Sequence, residues 1–136
     1  MTNYADGTSF RFHHIHLNTT NYEEAVDFYT RIMAGTIDHT GEWNGRRTAA
    51  IDLGGIRLLI SDKAYPFVEI PDQTPDGPHF GLEHFCLTVP DLDAAVTSLK
   101  SRGAKFFMDI HVMRDKMRMA IVKAPDNVRI ELFARS

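Results

Sequence analysis

At 136 residues, 43% of them hydrophobic and 24% charged, the chain can bury the core of one ordinary domain, or of two small modules that share one. A formal charge of −3 excludes broad electrostatic attraction to nucleic acid or an anionic membrane, which leaves a small molecule as the expected partner. The single cysteine, Cys86, excludes an internal disulfide and suits the cytoplasm; the opening residues lack a secretory pattern, and no apolar window is long enough to span a bilayer.

Residues 1–9 are polar, with Asp6-Gly7 as a turn signal, and are expected to form a loose leader. A strand is predicted over residues 10–18. Its period of two places His14, His16 and Asn18 on one face and Ile15, Leu17 and Thr19 on the other. Thr20-Asn21-Tyr22-Glu23 has the form of a capping box at a helix start. Tyr22, Ala25, Val26, Tyr29, Ile32 and Met33 follow at helical spacing up to a stop at Gly35. Three strand-like pieces come next, at residues 36–40, 47–53 and 56–60, the last after the hairpin signal Gly54-Gly55. The unit reads βαβββ. Across residues 61–80 the periodicity disappears and prolines gather at 66, 71, 75 and 78, which predicts a connector or a lid.

From Gly81 the order restarts. His84, Cys86 and Thr88 share one face of a strand, and Phe85, Leu87 and Val89 share the other. Asp91 is placed as the N-cap of a helix carrying Leu92, Ala95, Val96 and Leu99, with Gly103 as its stop. Strand-like pieces at 104–112, 116–123 and 128–133 complete a second βαβββ unit, with Pro125-Asp126-Asn127 as the turn before the last. An offset of 70 carries His14 to His84, Ala25 to Ala95 and Val26 to Val96. An offset of 72 later carries Gly54 through Leu59 onto Asp126 through Glu131. Duplication on this scale predicts an α+β fold of two tandem βαβββ modules forming a curved mixed sheet around a cavity. Module 1 takes about residues 10–61, the connector 62–80 and module 2 81–134, in a single domain over 1–136.

These residues resemble the vicinal oxygen chelate superfamily, the glyoxalase, bleomycin resistance and extradiol dioxygenase fold. The resemblance is carried by His14-Ile15-His16-Leu17 through Tyr29, by His84-Phe85-Cys86-Leu87-Thr88-Val89-Pro90-Asp91, and by Ala124-Pro125-Asp126-Asn127 before Ile130-Glu131-Leu132. Family members commonly end with Asp-Pro-Asp-Gly-Asn before Ile-Glu-Leu; here alanine replaces the first aspartate and asparagine the glycine, and asparagine tolerates a left-handed backbone. By position the resemblance implies metal ligands at His14, His84 and Glu131, for a divalent ion such as Fe, Mn, Ni, Co or Zn. Glu131 shares its strand face with Arg129 and Phe133, opposite Ile130 and Leu132, in agreement with that role. Some members carry a fourth ligand where this chain has Leu59, so a three-ligand site is expected.

Other residues have competing readings. His16 and Asn18 are candidates for substrate contact or for simple cavity lining, as are Arg129 and Arg118; Arg46, Arg47 and Arg114 either hold an anionic substrate or belong to the ordinary surface. His13 is the weaker neighbour of His14, while His79 and His111 are expected to be solvated. Trp43 and Phe107 are expected in the core or a cavity wall, and Glu83, on the opposite pleat from His84, is expected to be structural.

The resemblance implies a divalent-metal-dependent enzyme of glyoxalase type. Its small substrate is chelated through vicinal oxygens and undergoes lyase or isomerase chemistry through an enolate-like species, with Glu131 or a metal-bound water as the proton carrier. The alternatives are an iron(II) extradiol dioxygenase, which usually has a tyrosine where this chain has Ile121, a thiol transferase, and a non-catalytic binding or resistance protein. A homodimer is expected from the family and from sheet edges that need covering.

Overall fold

The structure is a computed structural model that describes residues 2–3, 5–63, 76–113 and 116–134. Module 1 contains β1 (Ile15–Asn18), α1 (Tyr22–Asp27) running into a wider π turn at Phe28–Ile32, β2 (Thr36–Trp43), β3 (Arg46–Leu53) and β4 (Ile56–Ser61). Module 2 contains β5 (Phe85–Val89), α2 (Leu92–Ser101), β6 (Lys105–Val112), β7 (Arg118–Lys123) and β8 (Arg129–Ala134). The strands form two four-stranded mixed sheets, β1-β4-β3-β2 and β5-β8-β7-β6, one from each module. In each sheet the first strand lies parallel to the last, and the remaining neighbours are antiparallel hairpins. That order follows from the sequence: β2 to β4 are joined by short turns and pair with their neighbours, while the helical crossover returns the first strand beside the fourth.

The apolar stripe predicted for α1 packs inward, with Ala25, Tyr29 and Ile32 buried and Phe28 beside them. Together with Ile51, Leu58 and Ile60 of the first sheet, with Val96 and Leu99 of α2, and with Val122, Ile130 and Leu132 of the second sheet, they make one continuous core. Both modules therefore fold around shared apolar surface. The Tyr29 hydroxyl is held firmly protonated by this burial.

Several sequence expectations are corrected. The leader is not wholly loose, since Thr2–Asn3 pairs antiparallel with Ser9–Phe10, and the regular strand begins at Ile15 rather than at residue 10. The capping box does not form. Asn21 caps α1 through its side chain, which accepts from the Glu24 N–H at 3.1 Å. The Thr19 and Thr20 hydroxyls turn instead to the Asp126 carboxylate, at 2.7 and 2.6 Å, and the Thr20 N–H joins them at 3.0 Å. Hydrogen bonds to a charged acceptor are the stronger choice for these donors, and they tie the β1–α1 loop to the turn before β8. In that turn Asp126 and Asn127 both take left-handed backbone, with φ of 60° and 58°. Asp91 caps α2 as expected, accepting from the Ala94 N–H at 3.0 Å.

Candidate functional site

The parallel register of β5 and β8 sets Cys86 opposite Glu131. His84, two residues before Cys86 and on the same pleat, thereby comes over the Glu131 carboxylate. His84 Nε2 lies 3.0 Å from Glu131 Oε2. Its other ring nitrogen, Nδ1, lies 2.6 Å from Glu83 Oε2. Glu83 is in turn held by the Nε of Arg129, a guanidinium only 9% exposed that also lies over the Phe107 ring, 5.0 Å from its centroid. The His84 hydrogen bond and the Arg129 ion pair together hold the Glu83 carboxyl below the ordinary glutamate range, against the opposing pull of burial. The expectation that Glu83 points away from His84 is thus corrected. Both Glu83 and His84 precede the strand, which begins at Phe85, and there strict alternation no longer governs direction.

This donor set fits a divalent transition ion. A carboxylate that orients the second nitrogen of an imidazole is the usual outer partner of a metal-binding histidine. Two donors at about 2.1 Å from one ion and at right angles lie about 3 Å apart, which matches the His84–Glu131 spacing. The Cys86 thiol donates to the other oxygen, Glu131 Oε1, at 3.6 Å. Burial, and then the neighbouring Glu131 charge, push that thiol up to about 11, so it stays a protonated donor at neutral pH. Cys86 is half-buried and free.

His14 is not brought to this pair. Among the described residues no three His, Cys, Asp or Glu side chains converge in a way that could hold an ion. The pleat of β1 that carries Ile15 and Leu17 packs against the core. These two side chains also line a cavity of about 160 Å³ together with Glu83, His84 and Arg129 of module 2. The opposite pleat, with His14, His16 and Asn18, is exposed. His14 meets its neighbour His13, with their Nδ1 atoms 2.6 Å apart and the rings edge to face. Leu59 lies beside His16 in the parallel register, at the position where a fourth ligand would stand.

On that exposed face a second polar group assembles around Ser61, which is itself buried. His16 Nε2 lies 2.8 Å from the Ser61 hydroxyl, the Arg46 guanidinium donates to it at 3.2 Å, and it donates to Asn18 Oδ1 at 3.3 Å. Burial first, then the Arg46 charge and His14, holds the His16 imidazole below its ordinary value and hence neutral. Arg118 makes a two-pronged pair with Asp93 at 2.8 Å on the surface. Arg47 is taken by Asp62 and Glu23. Trp43 is 63% exposed at the end of the β2–β3 hairpin rather than in the core, and Phe107 is half-buried beneath Lys123 and Arg129. His79 is bound between the Gly77 and Leu82 carbonyls at 3.0 and 2.9 Å, and His111 is exposed on β6. Arg114 and most of the proposed lid, residues 64–75, lie outside the described residues. Sequence reasoning missed Glu83 and Ser61. The pattern Glu-His at a strand entrance was the available signal for Glu83; Ser61 had none.

A family model described as the Glyoxalase/Bleomycin resistance protein/Dioxygenase superfamily matches residues 11–132. An uncharacterized protein, YaeR, from Escherichia coli K12 is 29% identical over 126 residues, covering 89% of this chain and 93% of that protein. Among solved structures, a glyoxalase family protein from Enterococcus faecalis superposes with a TM-score of 0.72 at 22% identity, covering 90% of this chain and 96% of the other. The fosfomycin resistance protein FosX from Listeria monocytogenes gives a TM-score of 0.71 at 14% identity, covering 95% of this chain and 96% of the other. At these identities the two structures speak for the fold.

Proposed function

This chain belongs to the Glyoxalase/Bleomycin resistance protein/Dioxygenase superfamily, and from that premise we propose that it is a divalent-metal-dependent lyase or isomerase acting on a small substrate with vicinal oxygens. The observation that carries the reading is the His84–Glu131 pair at 3.0 Å, with His84 oriented from behind by the Glu83–Arg129 ion pair. In the proposal His84 and Glu131 come from one chain and His14 from a second copy. The exposure of the His14 pleat supports this, as does the position of β1 and β5 at the edges of their sheets, where a partner strand can add.

A divalent ion held by these three residues supplies Lewis acidity to a carbonyl or enolate oxygen of the substrate. The chain's own residues do the rest. Glu83 accepts a hydrogen bond from the His84 Nδ1–H, the tautomer that leaves the Nε2 lone pair toward the site. Arg129 keeps Glu83 ionised and in place. Cys86 donates to Glu131 Oε1, which leaves Oε2, the oxygen facing His84 Nε2, as the atom that would hold the ion.

Metal analysis tests the site: the purified protein should carry about one ion per chain, lost in His84→Ala, and full retention in that variant would sink the assignment. Co-purified His14→Ala and Glu131→Ala chains test the two-copy arrangement, because a mixed dimer has one intact ligand set and should regain about half the metal. No recovery in the mixed dimer would place the site within one chain. Oxygen uptake with an aromatic diol, confined to the iron form, would instead assign the ring-cleaving alternative.

A further inference from the structure

The offset of 70 that carries Ala25 to Ala95 also carries Phe28 to Ser98 and Ile32 to Arg102. In the first helical segment both positions are apolar and buried. In α2 they are a small hydroxyl and a cation. Ala95, Ser98, Leu99 and Arg102 stand at i, i+3, i+4 and i+7, which is one face of the helix, and that face lines a cavity of about 560 Å³. The facing walls are apolar: Met33, Leu53 and Ile56 of module 1, with Leu87, Val89 and Leu132 of module 2. Because β5 is the edge of its sheet, Cys86 and Thr88 on its other pleat reach the cavity as well. The divergence of the repeats has thus left room on one helix where the other carries bulk. Small-molecule sites have this character, with a volume of about 300–1,000 Å³ and apolar walls bearing a few polar groups.

The charge on those walls is unbalanced. Arg31, Arg47, Arg57, Arg118 and Arg129 each sit against a carboxylate. Arg102 is half-buried and in no ion pair among the described residues. Its Nε donates to the Ile32 carbonyl at 2.9 Å and its Nη1 to the Ser98 hydroxyl, one turn back on the same helix. Both acceptors are neutral, and together they fix the guanidinium against the cavity. Nη2 makes no hydrogen bond among the described residues. No Asp or Glu is among the residues that line the cavity, and Cys86 stays a protonated thiol, so Arg102 is the one charge on the described walls. A cation partly withdrawn from water and lacking a counter-charge favours an anion, while the walls around it favour hydrocarbon.

We propose that this cavity binds a small amphipathic carboxylate, its apolar chain along the walls between the modules and its head on Arg102 Nη2. Neither His84 nor Glu131 lines the cavity, so the inference stands whether or not those two residues hold an ion.

The test is calorimetric titration of the protein with octanoate at constant ionic strength, beside acetate, which has the head without the chain, and octan-1-ol, which has the chain without the charge. Octanoate should saturate at one per chain, with acetate and octanol each weaker by roughly tenfold or more. Arg102→Gln should weaken octanoate to about the level of octanol and leave octanol itself unchanged, since the glutamine amide can still donate to the Ile32 carbonyl. Ala95→Phe leaves the guanidinium and its tie to Ile32 untouched while filling the cavity, and should weaken both octanoate and octanol by roughly tenfold. A cooperative thermal transition in each variant shows that it is folded, and Ala95→Phe decides the matter if Arg102→Gln is not. Absence of saturation in the wild type, octanol binding as tightly as octanoate, or octanoate binding at wild-type strength in either folded variant overturns the proposal.

Discussion

Glu83 shows how much of the site depends on a residue that touches neither the proposed ion nor the substrate. Its carboxylate receives the His84 ring and the Arg129 guanidinium at once. Losing it frees the imidazole to rotate and leaves a nearly buried cation without its counter-charge. Glu83→Ala is expected to weaken metal affinity about 10- to 100-fold, measured by chelator competition. It should also lower the stability of the metal-free protein by about 1–3 kcal/mol in urea denaturation. Unchanged metal affinity beside lowered stability would show that Glu83 serves the fold alone.

At the scale of elements, the end of α1 separates two jobs that sequence reading assigned to one glycine. Gly35 is needed for close approach: a Cβ there would lie 2.5 Å from the Tyr29 carbonyl oxygen and 2.8 Å from Ile51 Cγ2. The left-handed step falls instead on Ala34, with φ of 62°, a conformation that strains any residue with a Cβ. Adjacent substitutions should therefore act with opposite sign. Gly35→Ala is expected to destabilise by about 1–3 kcal/mol through overpacking. Ala34→Gly is expected to stabilise by up to about 1 kcal/mol. Urea midpoints of the two variants check this, and a shift of both in the same direction would contradict it.

For the whole molecule, the modules share one core and are held by polar ties at their helical ends: Asp126 reaches Thr19 and Thr20, and Arg102 donates to the Ile32 carbonyl at 2.9 Å. Those ties fix the first sheet with its His14 pleat turned outward. No helix among the described residues is long and apolar enough to cross a membrane. If the ion is shared between two copies, its binding is linked to association. A metal at a hundredfold excess over its dissociation constant should stabilise the protein by about 2.7 kcal/mol. That gain should shrink as the protein is diluted below the dimer's dissociation constant, because the binding-competent state is then lost. Thermal melts at several protein concentrations, with and without metal, measure it, and a gain independent of concentration would favour a site within one chain.

The sequence by itself determined the duplicated βαβββ order, the two helices, the Asp91 cap and the pleat on which each candidate ligand stands. Each of these is set by local periodicity, by a capping side chain or by an internal offset, all of which are written along the chain. What only the tertiary structure decided lies between segments distant in sequence. Thr19 and Thr20 abandoned a local capping box for Asp126 more than a hundred residues away, since a charged acceptor outcompetes a weaker local one. Glu83 joined His84 because the strand had not yet begun there, and Arg129 came to it from the neighbouring strand. Ser61 gathered His16, Asn18 and Arg46 because the register of β1, β4 and β3 set their strands side by side. His84 and Glu131 meet and His14 does not, because parity names the face of a strand but the packing of the modules decides which face turns inward.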